Sequence, residues 1–148
     1  FLKTYFKTNM KSICSIFFLK GLDLFMSTGL SFELPREAHE PFSMEERKII
    51  LKRLLAKCDK GELTPIVLKE NRITIPTEMT LCHYDNDDSI FIWNLPNVPF
   101  SSCIIEVSEI RNNFSEFMLY LKNNREYTYT EEESLKLLKE HAQKYLDN

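Results

Sequence analysis

The chain has 148 residues, 43% of them apolar, and a net charge of −3. That suffices for one ordinary core and argues for a single folded domain. Residues 1–30 carry four Lys against one Asp, so the remainder is acidic, which argues against nonspecific binding to a phosphate backbone. Only three Gly are present, too few for long glycine-built ligand loops.

Residues 1–26 form an apolar and basic segment. Lys3, Lys7 and Lys11 recur every four residues beside Phe6, Met10, Ile13 and Phe17. This spacing suits a helix with its cations on one side. Ile13–Leu19 is too short an apolar run to span a bilayer, which needs about 20 residues. The segment reads as a packed helix or strand, as an extension ahead of Met26, or as a second contact, either homotypic or with a membrane. Residues 27–148 are then one α+β domain.

Leu30–Leu34 is a short strand candidate, followed by a surface stretch between Pro35 and Pro41. Ser43 and Glu46 have capping-box spacing, so a helix is predicted from Met44. Ile50, Leu51, Leu54, Leu55 and Cys58 form its apolar stripe, and Gly61 stops it. Ile66–Leu68, Arg72–Ile75, Met79–Tyr84, Ser89–Leu95 and Cys103–Val107 read as strands separated by polar or proline-containing turns. Phe117–Leu121 and Arg125–Tyr129 flank Asn123-Asn124, which reads as a hairpin. Thr130 and Glu133 then cap a final helix over about 131–146, with a stripe of Leu135, Leu138, Ala142, Tyr145 and Leu146. The expected fold is therefore α+β: a mainly antiparallel sheet or partly open barrel, a helix after residue 43 and a C-terminal capping helix.

The chemistry is sparse. Cys14, Cys58, Cys82 and Cys103 contain no C-x-x-C pair, and His39, His83 and His141 are scattered. Four reduced thiols in an intracellular protein, cytoplasmic or nuclear, are the expectation. Cys82 and His83 are adjacent, so in a strand they point to opposite faces and cannot work as nucleophile and base. Asp85-Asn86-Asp87-Asp88 reads as a solvated turn, lacking the spaced acids of a calcium loop. No dinucleotide, P-loop or H-E-x-x-H motif occurs. No catalytic residue, metal site or cofactor is assigned.

Three short resemblances follow. Asn71-Arg-Ile-Thr-Ile-Pro76 resembles the R-[IV]-T-I-P strand of AbrB-like swapped-hairpin DNA-binding proteins over six residues. Leu63 to Leu146 resembles a pleckstrin-homology-type barrel in its order of meander, terminal hairpin and terminal helix. A helix leading into a meander, with Leu95-Pro-Asn-Val-Pro-Phe100 as a connection, resembles the ubiquitin-conjugating and RWD-type folds. Cys103 sits at a strand start there and is not assigned as a conjugating cysteine.

The function expected is a noncatalytic protein–protein interaction or adaptor module. Tyr120, Tyr127 and Tyr129 are the candidate partner-binding residues, because tyrosine combines apolar area with a hydroxyl. The alternatives are a cysteine-dependent enzyme without a readable motif, or a nucleic-acid-binding protein using Arg72.

Overall fold

The computed structural model describes residues 13–30, 40–73, 80–84, 89–92, 102–105 and 108–147. Five short strands are present: β1 (Ile13–Phe17), β2 (Leu63–Val67), β3 (Thr80–Tyr84), β4 (Ser89–Ile92) and β5 (Ser102–Ile105). Four helices accompany them: α1 (Leu19–Thr28), α2 (Met44–Asp59), α3 (Ser108–Asn123) and α4 (Glu131–Leu146). The strands form one open sheet in the order β2-β1-β3-β4-β5.

β1 is the interior strand on which the packed end of the sheet is built. It runs parallel to β2, with Ile16 opposite Ile66, and antiparallel to β3, with Ile16 opposite Leu81. A parallel pair needs a long crossover, and α1 and α2 supply it. Ile16, Phe18, Ile66 and Leu68 are buried with Met118 and Leu121 of α3 in one apolar cluster. Ile16 and Phe18, like Ile66 and Leu68, are two residues apart, so each pair projects to one side.

α1 and α2 meet at a tight corner. Gly29 ends α1 at φ 73 and donates to the Phe25 carbonyl at 2.8 Å. The Arg47 guanidinium closes the same corner, donating to Phe42 O at 2.6 Å and Met26 O at 2.9 Å. A Cβ on Gly29 would collide with both the Phe42 carbonyl and that guanidinium. α2 starts on the Ser43–Glu46 capping box: Ser43 N donates to Glu46 Oε2 at 2.8 Å and Glu46 N donates to Ser43 Oγ at 3.3 Å. Leu51 of α2, Met26 of α1 and Ala142 of α4 then form a second buried cluster.

The outer edge of β2 is occupied. Val67 N donates to Ser134 Oγ of α4 at 2.9 Å, and Val67 O accepts from Tyr129 N at 3.0 Å. Lys69 N donates to Tyr127 O at 2.8 Å, so 127–129 pairs briefly beside the strand end, with Leu68 opposite Thr128. Leu68 N bonds Phe17 O of β1, so alternation places the nitrogen of Pro65 on the outward edge, where its missing donor costs nothing.

This architecture corrects the expected mainly antiparallel sheet or partly open barrel. The sheet does not close, its core-packed pair is parallel, and three 16-residue helices outweigh strands of four or five residues. The final helix packs on β2 and α2 and caps no barrel mouth. The expected hairpin at 117–129 is also absent. Phe117–Leu121 belongs to α3, where Met118 and Leu121 point to the core three residues apart. Asn124 does make a turn, as a helix exit: its carbonyl accepts from Tyr127 N and Thr128 N, both at 3.1 Å. The barrel and helix-plus-meander resemblances fail for the same reason, since β1 and α1 precede α2 and α3 replaces the hairpin. Asn71 and Arg72 lie in a turn, with Asn71 at φ 69. Residues 31–34 of the first strand candidate, residues 74–76 of the R-I-T-I-P match and the 93–95 end of the Ser89–Leu95 strand candidate lie outside the described residues.

Candidate functional site

The structure brings together two of the three candidate tyrosines. Tyr120 is 56% exposed on α3. Tyr127 lies half-buried after the helix, packed on the cluster around Ile16. Their ring centroids are 6.5 Å apart at 49°, and Asn124 Nδ2 donates to Tyr120 Oη at 2.9 Å. The Glu126 carboxylate, followed by Tyr120, pushes the Tyr127 phenol above its ordinary pKa, so that phenol stays protonated and able to donate at neutral pH.

Tyr129 sits elsewhere. Its main chain is held by Val67, and Lys69 Nζ lies 5.2 Å from its ring centre. Thr128 between them is fully buried, its hydroxyl donating to Leu121 O at 2.8 Å. Tyr127 and Tyr129 therefore flank an isolated bridge and are not neighbours on a regular strand. Tyr129 lines a depression of about 420 Å³ with Lys69, Glu70, Arg72 and Leu137. Two of its charges are already engaged, Lys69 with Arg125 O at 2.6 Å and Glu70 with Lys20 at 2.8 Å.

Around Tyr120 the structure adds residues that sequence reasoning missed. Ile110, Phe117 and Leu119 are 55%, 41% and 53% exposed. Ile110, Phe117 and Tyr120 are spaced by seven and three residues, which places them along one side of α3. Glu109 and Glu116 repeat that seven-residue interval immediately beside them. Towards the helix end, an open groove of about 540 Å³ is lined by Glu116, Leu119, Tyr120, Asn123, Asn124 and Arg125. The signal available in the sequence was the interval from Ile110 to Phe117, hidden by reading Phe117–Leu121 as a strand.

The nucleophile and base candidates do not assemble among the described side chains. Cys58 is buried, and burial, reinforced by Asp59, pushes its thiol up to about 11, so it is a poor thiolate source. Cys82 and His83 fall on β3 and Cys103 on β5, with β4 between those strands. Their side chains lie outside the described residues, as do His39 and the 85–88 turn. His141 is engaged on both nitrogens: Nε2 lies 2.5 Å from Asp23 Oδ1, and Lys144 Nζ lies 3.3 Å from Nδ1. Tyr145 Oη donates to the same carboxylate oxygen, and burial, followed by that bond, raises its phenol to about 12. This group is a strut between α1 and α4 with no vacant base.

Among the described residues, no cluster of three or more His, Cys, Asp or Glu could hold a metal ion. Among the same residues, no helix is long and apolar enough to cross a membrane. No family model, curated protein or solved structure matches the chain.

Proposed function

We propose that the chain is a noncatalytic protein-interaction module whose contact surface is the exposed side of α3. The observation that carries this reading is the exposure of Ile110, Phe117 and Tyr120, which are spaced by seven and three residues on α3. Single surface apolar groups need no explanation, but several large ones at helical spacing with an aromatic anchor are the usual composition of a recognition surface. Tyr120, backed by Tyr127, supplies a rigid ring and a hydroxyl at the end of the row. The partner chemistry that fits is an amphipathic helix laying apolar side chains along the row, with Lys or Arg set against Glu116. An intracellular setting is part of the proposal, supported by the Cys58 thiol, which forms no disulfide.

The test is affinity capture with wild type and with F117S/Y120S, followed by titration of the recovered protein in purified form. A partner that binds wild type and loses at least about tenfold with the variant, at equal thermal stability, supports the reading. Recovery of nothing that depends on these two side chains rejects this surface.

A further inference from the structure

The outward side of α2 carries a second, independent surface of different chemistry. Ile49 is 49% exposed and Ile50 36%. Ile49 and Ala56, seven residues apart, run along the middle of this side. Lys48 and Lys52 flank that line on one side, Arg53 and Lys57 on the other, and Lys60 stands just past the helix end. Among the described residues, none of these five cations makes a side-chain ion pair or hydrogen bond. From Lys48 to Lys60 the surface is about 18 Å long. On a chain of net charge −3, this is a concentrated cationic face.

Helix stability does not account for it. Lys57 and Lys60 complement the negative helix end, but Lys48, Lys52 and Arg53 stand where the dipole offers nothing. Lys48/Lys52 and Arg53/Lys57 are like charges four residues apart, which destabilises a helix. At the far end of the face Asp59 pairs with Lys139 at 2.5 Å. Glu45 and Glu46 stand in the first turn, beside the N-terminal end of the face, so its cationic character is concentrated from Lys52 to Lys60.

We propose that this side of α2 docks on an anionic lipid bilayer. Ile49 and Ala56 in the middle, Ile50 along one flank and long cationic side chains on both flanks suit a helix lying in a headgroup layer. There each stem extends sideways to bring its charge to the phosphates. A nucleic-acid backbone would use the cations but gain nothing from two exposed isoleucines. An acidic peptide would run along one flank and leave the other unused. A flat charged sheet engages both flanks, and α2 needs no apolar span to do so.

The test is cosedimentation of the full chain with vesicles at physiological ionic strength. One vesicle set is pure phosphatidylcholine and the other contains about one third phosphatidylserine. Binding is expected only to the second set. K52E/R53E/K57E should weaken it by at least about 100-fold, and I49S/I50S by about tenfold. All five substituted side chains are exposed, and matching thermal midpoints establish that the variants fold. If charge reversal disturbs folding, K52Q/R53Q/K57Q carries the same test. No sedimentation, equal sedimentation with both sets, or binding that survives loss of the cations overturns the proposal. So does binding to duplex nucleic acid that is as tight as to anionic vesicles and indifferent to I49S/I50S.

Discussion

At Ser134 a single hydroxyl closes the edge of the sheet. It accepts the Val67 N–H at 2.9 Å inside a fully buried site. Ser134→Ala leaves that donor without water or partner and should cost about 1–3 kcal/mol in a urea titration. Ser134→Thr, which keeps the oxygen, tests whether the loss is the bond or the fit. The two capping carboxylates act at the surface instead. Bonds from Ser43 and Thr130 hold Glu46 and Glu133 below the ordinary carboxylate pKa. A depressed folded pKa means that their contribution is complete above the unfolded value, near 4.5. It is lost as pH falls through the folded values. E46Q/E133Q should therefore flatten the acid side of the stability–pH curve below about pH 4.5 and leave its shape at neutral pH unchanged. Cys58, with its thiol near 11, should resist iodoacetamide at pH 7 in the folded chain and label on unfolding, read by peptide mass spectrometry.

At the scale of elements, the contrast between neighbouring residues of α3 is the sharpest check on the fold. Met118 is 2% exposed and Phe117 41%. Met118→Ala should cost about 2–5 kcal/mol, whereas Phe117→Ala, at a partly exposed position, should cost less. The opposite ranking in urea midpoints would place the other side of the helix inward. α2 and α4 were legible because their starts are local chemistry: Ser43 with Glu46 and Thr130 with Glu133 carry the whole signal within four residues. α3 was not. Phe117-Met-Leu-Tyr-Leu121 is apolar on every side over its last turns, so neither period dominates, and the Asn pair adds a turn signal that a helix exit satisfies equally well. Of the candidate surface, Tyr120 was legible from residue type alone. Ile110 and Phe117 required the helix to be known first.

For the whole molecule, the decisive arrangement is β1 between two later strands. No local signal in Ile13–Phe17 announces it, because parallel pairing with β2 is a relation between distant segments. The charged and apolar neighbourhood of residues 1–12 drew attention to helix instead. One consequence concerns the route to the native state. Ile16 meets Ile66 only after the intervening chain has been drawn into a closed loop, and β3 comes later still. Such non-local closure slows folding. Meanwhile Ile-Cys-Ser-Ile-Phe has neither charge nor proline to discourage pairing with the same segment of another molecule. Nascent or refolding chains thus face a race between closing their own loop and sticking to one another. Refolding from urea should show it: yield should fall and light scattering rise as concentration increases, although the native chain buries both Ser15 and Ile16.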